Sequence, residues 1–395
     1  MFRARILLPL LLTSIVAGRL SAQALIFNGN TVIAEAGQDR FSGSGTATIT
    51  PGGSANVSLS VIASGDDGCS DTVQVDLAAT LTGGDKLNLR IFLQGIGDPP
   101  AVATLNGTFV VTGGTGQYAG KGGSGSATLT LTRATSQLTV ALTGALSTPF
   151  SVPASLRPSG VVPVYSSKPR IYPGSWVSVY GDNLANATTL WNGDFPTSLG
   201  GVTATVNGKP AYLWFVSPNQ INLQFPDDPK RGCVDFRLNT PNGLVSIQVE
   251  LSGVGPSLSL LDSKYAAAII PNASGAYGTG ANAYDIAGAP GRYAFNTRKV
   301  KKGENLVLYG VGFGPVSTPI PAGKPFSGGV SIAPGIPYNV DFGGVQVVPQ
   351  FIGMVGAGLY QVNLRVPANV PSGDIPVRLL IGGSATQDNV LITVE

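Results

Sequence analysis

The chain has 395 residues, including 54 glycines, 29 prolines and no histidine, and 43% of its residues are hydrophobic. This length allows two or three domains, and the hydrophobic share is large enough for packed cores, which argues against a disordered chain. The absence of histidine excludes a Ser-His-Asp triad and removes the commonest metal ligand. Because most familiar enzyme mechanisms are thereby removed, we expect a protein that is not an enzyme and that has no catalytic, cofactor-binding or metal-binding residues. The remaining alternative is an enzyme with an acid-only mechanism, which requires two facing carboxylates in a pocket.

Residues 1–24 have the pattern of a secretory signal peptide. Arg3 and Arg5 precede an apolar run, residues 6–17, and a cleavage site of small residues follows. A membrane anchor is the alternative, but the apolar run is shorter than the roughly 20 residues that a bilayer requires. We expect the mature chain to begin near Leu25 and to be extracellular or on the cell surface, with the periplasm as the alternative location.

Charge and hydropathy limit the partners of the mature chain. Removal of the signal peptide takes three arginines and no acid, which leaves as many basic residues as the 21 acidic ones. A neutral chain lacks the basic surface that nucleic acids require, so we expect no nucleic-acid partner. No other apolar run is long enough to span a bilayer, so we also expect no membrane span.

The two cysteines, Cys69 and Cys233, lie in glycine-containing loops of different predicted domains. In an oxidising compartment they can form a disulfide bond. The alternative is two locally packed thiols, because the sequence does not show whether the two Cα atoms lie within bridging distance. Two cysteines without histidine do not suffice for a zinc site.

The section from residue 25 to residue 150 consists of short runs that alternate between apolar and polar residues. A period of two residues is typical of antiparallel strands with one buried face. The clearest runs are residues 56–61, 72–77, 87–91 and 137–142. The fold class that follows is all-β, with an N-terminal β-sandwich or small barrel over residues 25–150.

Residues 151–168 are rich in proline and serine and mark the main predicted domain boundary. Pro153, Pro158 and Pro163 follow one another at intervals of five residues. Because proline cannot donate to a central ladder, these residues predict an extended linker.

Beyond the linker, the chain repeats itself in both strands and turns. Residues 177–181 (VSVYG) correspond to residues 306–310 (LVLYG), and residues 220–226 (QINLQFP) correspond to residues 361–367 (QVNLRVP). Two-residue hairpin turns, which need residues that tolerate positive φ, also recur in order. They are Asn207-Gly208, Asn242-Gly243, Gly343-Gly344 and Gly382-Gly383.

The repeat predicts two immunoglobulin-like β-sandwich modules. We place the first module at residues 169–255 and the second at residues 299–395. Residues 256–298 are expected to form a connecting strand and a glycine-rich loop. A loop this long, which includes Gly275 to Gly291, is either functional or mobile.

Four motifs of the repeated part resemble a known family. They are residues 195–202 (FPTSLGGV), 206–208 (VNG), 217–222 (SPNQIN) and 358–363 (GLYQVN). Together they resemble the uncharacterised C-terminal domain shared by many exported acidobacterial proteins, over residues 161–395. The resemblance implies TIG-like, immunoglobulin-type sandwiches on a secreted protein, and it transfers no catalytic residues.

One motif of the N-terminal section also has a resemblance. Residues 109–120 (FVVTGGTGQYAG) resemble a turn of small bacterial β-barrels that are distantly similar to allene oxide cyclase and dirigent proteins. The resemblance implies a barrel and transfers no functional residue.

Aromatic residues concentrate in the first predicted module. Exposed aromatic rings on a β-sandwich can stack on sugar rings, so Trp191, Trp214 and Tyr212 are candidate ligand-binding residues, and Trp191 is expected to be the most exposed. The alternative is a structural role, because Trp176 and Tyr180 lie four residues apart on one strand face and such residues commonly fill a sandwich core.

Two further sets of polar residues admit a structural and a functional interpretation. Gln220 with Asn222, and Gln361 with Asn363, are expected to be buried amides that hold the backbone of a neighbouring loop. Acidic residues near turns offer oxygen ligands for Ca²⁺, but a solvated acidic turn is favoured. The acidic residues in question are Asp66, Asp67, Asp71, Asp227 and Asp228.

The sequence therefore predicts a secreted or cell-surface, non-enzymatic β-protein that serves adhesion, envelope organisation or assembly. The alternative is a carbohydrate-binding protein that uses the aromatic residues of the first module or a cavity in the N-terminal domain. The expected partner is a cell-surface protein or a polysaccharide. Self-association is also expected, because open strand edges with few charges can pair with the edges of a neighbour.

Overall fold

The structure, a computed structural model, describes residues 23–37, 40–64, 72–94, 101–147, 153–272 and 274–395. Its regular elements are β-strands and three single-turn 3-10 helices, which are Gly116–Tyr118, Arg133–Thr135 and Gly280–Asn282. The predicted all-β fold class is confirmed. In the part of the chain that is described, no helix is long and apolar enough to cross a membrane.

The N-terminal unit is a closed barrel of eight antiparallel strands. The strands are β1 (Gln23–Gly37), β2 (Arg40–Thr50), β3 (Gly53–Ser64), β4 (Thr72–Leu81), β5 (Lys86–Gln94), β6 (Val102–Gly114), β7 (Gly122–Thr132) and β8 (Gln137–Ser147). Each strand pairs with its neighbour in the chain, and β1 pairs with β8 from Gln23↔Leu146 to Val32↔Gln137. Of the two predicted forms, the barrel is the one that the chain adopts. Of the predicted signal peptide, residues 1–22 lie outside the described residues, whereas Gln23 and Ala24 are the first residues of β1 and pair with Leu146 and Ala145.

The interior of the barrel is an apolar core. Alternate residues of each strand point inward, as Leu87, Leu89 and Ile91 of β5 do, and all three are buried. Tyr118 is fully buried and donates a hydrogen bond from its hydroxyl to the carbonyl oxygen of Pro51. Apolar side chains therefore fill the described interior, and a ligand cavity in the N-terminal domain stays a prediction.

The second unit, which corresponds to the predicted first module, is a sandwich of two sheets. Its strands are β9 (Ser155–Pro163), β10 (Arg170–Ile171), β11 (Trp176–Asp182), β12 (Thr189–Leu190), β13 (Ser198–Leu199), β14 (Val202–Val206), β15 (Lys209–Pro210), β16 (Tyr212–Val216), β17 (Gln220–Gln224), β18 (Gly232–Thr240) and β19 (Gly243–Leu251). One sheet has the order β10-β19-β18-β14-β13, with β15 also paired to β14, and the other has the order β12-β16-β17-β11-β9. The core lies between them and contains Phe225 and Phe236, whose rings stack 5.8 Å apart.

The structure differs from the prediction of a linker over residues 151–168. Residues 155–163 form β9, which pairs with β11, and Leu156 and Val161 are buried in the core of the first module. β9 is the outermost strand of its sheet, where proline is tolerated because one edge requires no ladder donors. The first module therefore begins before residue 169.

The third unit, which corresponds to the predicted second module, is also a sandwich of two sheets. Its strands are β20 (Ser257–Leu258), β21 (Ala268–Pro271), β22 (Tyr284–Ile286), β23 (Asn305–Val311), β24 (Ser327–Ser331), β25 (Tyr338–Phe342), β26 (Val345–Val347), β27 (Phe351–Gly356), β28 (Leu359–Arg365), β29 (Gly373–Ile381), β30 (Ser384–Ala385) and β31 (Leu391–Val394). One sheet has the order β22-β21-β23-β28-β27-β24 with β20 also on β23, and the other has the order β26-β25-β29-β30 with β31 also on β29.

Residues 256–298 differ from the expected connecting strand and loop, because they are part of the second module. β20 and β21 both pair with β23, and β22 pairs with β21. Leu258, Ala268 and Ile270 lie in the core of this module. Ala268 and Ile270 are two residues apart along β21 and bury one face of that strand.

The predicted repeat corresponds to equivalent strand pairs. In the first module Tyr180 of β11 lies opposite Gln220 of β17, and in the second Tyr309 of β23 lies opposite Gln361 of β28. Three of the four predicted two-residue turns are present with positive φ at both residues, namely Asn207-Gly208, Gly343-Gly344 and Gly382-Gly383.

The fourth turn is shifted by one residue. Thr240 lies opposite Gly243, so the turn residues are Pro241 and Asn242. The Thr240 hydroxyl accepts a hydrogen bond from the Asn242 backbone N–H and donates one to the Gly243 carbonyl, which stabilises the turn at this position.

Candidate functional site

The three tryptophans of the chain form one cluster on the first module. The ring of Trp176 lies 5.6 Å from the ring of Trp191 and 5.7 Å from that of Trp214, in edge-to-face arrangements. Phe195 completes the cluster, with its ring 4.7 Å from Trp191. Edge-to-face contacts of this kind stabilise aromatic pairs beyond the burial of their surface. We call these four residues the aromatic cluster.

The aromatic cluster lies outside the core of the sandwich. Along β11, Val177 and Val179 are buried in the core, whereas Trp176 and Tyr180 are half-buried on the opposite face. The two aromatic residues share a face as predicted, but the interpretation of that face as the core is wrong. Side chains alternate along a strand, and the branched valines occupy the inner positions.

Trp191 is half-buried between Trp176 and Phe195, as Trp176 and Trp214 also are, so its greater exposure stays a prediction. The indole N–H groups of Trp191 and Trp214 make no hydrogen bond within the described residues. Neither nitrogen is buried, so each donor is available to solvent or to a ligand.

One side of the cluster is covered by the second module. The indole N–H of Trp176 donates a hydrogen bond of 2.7 Å to the Ala357 carbonyl, in the turn between β27 and β28. A Cβ atom on Gly358 would lie 3.1 Å from the Trp176 ring. Trp176 is therefore a contact between the modules.

Tyr212, a predicted ligand-binding residue, also lies at this boundary. Its ring packs directly against Gly323 of the second module, where a Cβ atom would overlap the ring. The Gly323 N–H donates to the Gln224 side chain at 3.0 Å, and the Ala322 N–H donates to Asp227 at 2.8 Å. Tyr212 therefore has a different role from Trp191 and Trp214, because its ring is a contact between the first and the second module.

The boundary between barrel and first module is formed by an ion-pair network. Arg90 of β5 donates to Asp76 at 2.6 Å and to Asp182 of β11 at 3.1 Å, and Arg157 of β9 lies 3.4 Å from Asp182. Burial alone would lower the pKa of Arg90, but the contacts with Asp76 and Asp182 outweigh it and raise that pKa. The arginine therefore stays charged and links the two units.

A cavity of about 620 Å³ lies beside this network, between the outer face of the barrel and the first module. The barrel contributes Gln74, Phe92 and Thr108, and the module contributes residues 155–157 and residues 244–249 of β19. Gln74 is buried, and its amide N–H donates to Asp76 at 3.1 Å. Cavities of this size at domain boundaries are common ligand sites. We call this cavity the boundary cleft.

The two amide pairs of the repeat differ from the expectation in their partners. Gln220 donates to Asn222 at 2.8 Å, and Gln361 donates to Asn363 at 2.6 Å. These amides are half-buried and hold each other instead of a loop backbone. In each pair the glutamine and the asparagine are two residues apart in sequence and lie on the same face of a strand, so their side chains are close enough to form a hydrogen bond.

Asp227 and Asp228, predicted to lie in a solvated turn, have protein partners. The Asp228 side chain is buried and accepts hydrogen bonds from Asn207 at 3.0 Å and from the Lys230 N–H at 2.8 Å. Burial would raise the pKa of Asp228, but these hydrogen bonds and Lys209 lower it. Asp66, Asp67 and Asp71 lie outside the described residues.

Cys233 is disulfide-bonded and lies in β18. Cys69 lies outside the described residues, so the pairing of the two cysteines stays a prediction. Within the part of the chain that is described, no three His, Cys, Asp or Glu residues are grouped as metal ligands.

Sequence reasoning missed Phe195, the boundary cleft and the contacts to Ala357 and Gly323. Phe195 has a positive φ of 51°, and a loop residue of this kind gives no periodic signal. The other features depend on which surfaces of separate units meet.

Comparison with known proteins gives no family. No family model and no curated protein matches the chain. Two solved structures of the full extracellular region of plexin A4, of domains 1 to 8 and of domains 1 to 10, are 9% and 8% identical to it, each with a TM-score of 0.21. The matches cover 85% and 92% of this chain but only 33% and 28% of the plexin chains, so the chain spans a third of their length or less. At these values the likeness carries no conclusion about function.

Proposed function

We propose that the chain is a secreted or cell-surface, non-enzymatic β-protein that serves adhesion, envelope organisation or assembly. The observation that supports this proposal is that side-chain bonds cross both boundaries between the three units. Arg90 joins the barrel to Asp182 of the first module, and Trp176 joins the first module to Ala357 of the second.

Such bonds matter because relative motion is the usual behaviour of domains that share only a small interface. Ser257 of the second module adds a hydrogen bond of 2.8 Å to the Val164 carbonyl, and both residues are buried. Three units that keep a fixed arrangement suit a protein that holds a binding surface at a set distance from its attachment point. An exported chain with a signal peptide would exert this function outside the cell.

The test is retention of the mature chain, residues 25–395, on insoluble envelope material of the producing organism. The wild-type protein, labelled with a dye, is incubated with the washed material, and bound and free fractions are measured after sedimentation. We expect saturable retention and unchanged envelope polymers. Retention no greater than that of albumin, or release of soluble sugars or peptides from the envelope, would reject the proposal.

The aromatic cluster favours a second candidate function, carbohydrate binding. Trp191, Phe195 and Trp214 are not among the core residues of the module, and the indole N–H groups of the two tryptophans have no hydrogen-bond partner among the described residues. A sugar can stack on such rings and accept a hydrogen bond from an indole N–H. This candidate excludes Tyr212, whose ring is covered by Gly323.

Pull-down on a panel of insoluble polysaccharides tests this candidate. We expect the Trp191→Ala and Trp214→Ala variants to lose retention, whereas Leu190→Ala should keep it. Leu190 is the matched control because it precedes Trp191 and is 61% exposed without belonging to the cluster. Equal retention of all variants would reject the candidate.

We also propose, from the motifs quoted above, that residues 161–395 belong to the family of C-terminal domains of exported acidobacterial proteins. The equivalent pairing of Tyr180 with Gln220 and of Tyr309 with Gln361 supports an internal duplication. An alignment of related chains in which both glutamines recur would support this assignment, and their independent variation would oppose it.

A further inference from the structure

Strand β19 has one paired edge and one open edge. On one side it pairs with β18 along its whole length, from Gly243 to Leu251. On the other side, among the residues that the structure describes, only its last two, Glu250 and Leu251, are paired, and their partner is β10. Residues 244–249 of this second edge line the boundary cleft.

The register shows which backbone groups face the cleft. Thr240 and Gly243 flank a two-residue turn and therefore form a hydrogen-bonded pair, after which bonded and non-bonded pairs alternate. Consequently the N–H and C=O groups of Leu244, Ser246 and Gln248 point away from β18. The Ser252 N–H follows the same alternation, because it donates to the Ile171 carbonyl on this edge at 2.9 Å.

These groups are open to a ligand. Leu244, Ser246 and Gln248 are exposed, and their backbone groups have no hydrogen-bond partner within the described residues. An unpaired strand edge is a template for pairing with another extended chain. Of the common ligands, only a peptide backbone offers donors and acceptors at the spacing of a strand.

The walls of the cleft limit the character of that peptide. The described residues that line the cleft include no acidic side chain and a single charged one, Arg157, which is 3.4 Å from Asp182. The barrel wall opposite β19 is a mixture of apolar and amide or hydroxyl groups, such as Phe92, Val110 and Asn106. An uncharged segment with alternating apolar and polar residues complements this lining.

We propose that the open edge of β19 in the boundary cleft binds an extended, uncharged peptide segment of a partner protein. The segment adds a strand in line with β10, which already occupies the end of the same edge, so that the added strand continues an existing sheet. Six residues of edge correspond to about 20 Å of extended chain. The cavity volume of about 620 Å³ lies within the range of known ligand sites. This proposal does not rest on the proposed function.

The experiment uses the mature chain and a dye-labelled synthetic peptide, QLTVALT, which copies residues 137–143 of this chain and is uncharged. The control peptide has the same side chains but is N-methylated at alternate residues, which removes the backbone donors on one edge. Binding is measured by fluorescence anisotropy. We expect saturable binding of the first peptide and at least tenfold weaker binding of the second.

Two variants test whether the peptide binds to the edge of β19. Ser246→Pro removes one outward N–H from an edge where proline is tolerated, and Ser246→Ala keeps it. We expect the proline variant to lose binding at least tenfold while its melting temperature stays close to that of the alanine variant. Hydrogen exchange should also show slower exchange at residues 244–248 when the peptide is bound.

Several results would overturn the proposal. Equal binding of the methylated peptide would show that the backbone donors are not used, and equal binding by Ser246→Pro would place the site elsewhere. The proposal also fails if no saturable binding occurs up to about 1 mM peptide, a concentration that corresponds to about 4 kcal/mol of binding free energy. If sedimentation shows that the wild type self-associates and the proline variant does not, the occupant is a second copy of the chain.

Discussion

The indole N–H of Trp176 in the first module donates a hydrogen bond of 2.7 Å to the carbonyl oxygen of Ala357 in the second module. The two residues are 181 positions apart in the chain, so this bond depends on the docking of two separately formed sandwiches. It is also the point at which the aromatic cluster and the boundary between the modules meet.

We predict that Trp176→Phe weakens the docking of the modules. The ring is retained, but the Ala357 carbonyl loses its donor, which costs about 1 kcal/mol for a neutral hydrogen bond. The expected result is a lower melting temperature in calorimetry, with a broader or split transition. Trp214→Phe is the matched control, because the Trp214 indole makes no hydrogen bond among the described residues. Equal effects of both variants would contradict the prediction.

We predict that Gly323→Ala destabilises the protein more than Gly208→Ala. The two glycines have nearly equal positive φ, 74° and 76°, so the backbone strain of an alanine is similar at both. The alanine methyl group at position 323 would overlap the ring of Tyr212, whereas nothing lies within 4 Å at position 208. Denaturant titration should show a difference of about 1–3 kcal/mol, the usual cost of overpacking. A Gly208→Ala variant that is the less stable of the two would disprove the assigned contact.

We predict that Asp262 contributes stability that is lost in acid. Burial would raise its pKa, but hydrogen bonds from the N–H groups of Tyr265 and Lys264 and from Tyr293 and Arg292 lower it to about 2. Because the folded-state pKa lies below the usual value of 3.8, the contribution is complete above about pH 4 and disappears as the pH falls through 2.

Comparison of wild type with Asp262→Asn measures this contribution. The side chain is 28% exposed, so we expect a modest difference, about 1 kcal/mol at neutral pH, that vanishes near pH 2. Urea titrations at several pH values provide the measurement. A difference between the two proteins that does not change with pH would show that the charge of Asp262 is not its cause.

We predict that Cys69 and Cys233 form the disulfide bond, because these are the chain's two cysteines. Such a bond would connect the barrel with the first module and restrict the unfolded chain, which typically stabilises a protein by about 2–4 kcal/mol. Peptide mapping by mass spectrometry without reduction should find the two cysteines in one linked fragment. Free thiols on both cysteines, or a dimer linked through Cys233, would refute the pairing.

The parts of the fold that could be predicted are those with a local signal. Period-two alternation identified strands of the barrel such as residues 87–91, and the Asn207-Gly208 turn was recognisable because its two residues tolerate positive φ. Closure of the barrel was not predictable to the same degree, since the pairing of Gln23 with Leu146 joins distant parts of the chain.

The candidate site was predictable only in its composition. The sequence indicated that Trp191, Trp214 and Tyr212 belong to one aromatic region, but not that Gly323 covers Tyr212. Likewise, the face that Trp176 and Tyr180 share was evident, but not which side of the sheet would carry the core. Both features depend on packing between strands that are far apart in sequence. The periodic pattern within one strand does not indicate such packing.

The pairing of β1 with β8 places the start of the mature barrel beside its last strand, with Leu25 opposite Gly144. A unit whose ends adjoin can be removed, or replaced by another unit with adjoining ends, without stretching the chain on either side. The barrel is therefore a self-contained unit in its covalent connection, but Arg90 links it to Asp182 of the first module. A chimaera with another unit in front of residues 153–395 would lose the bond from Arg90 to Asp182 and the barrel wall of the boundary cleft, and with that wall the proposed peptide site.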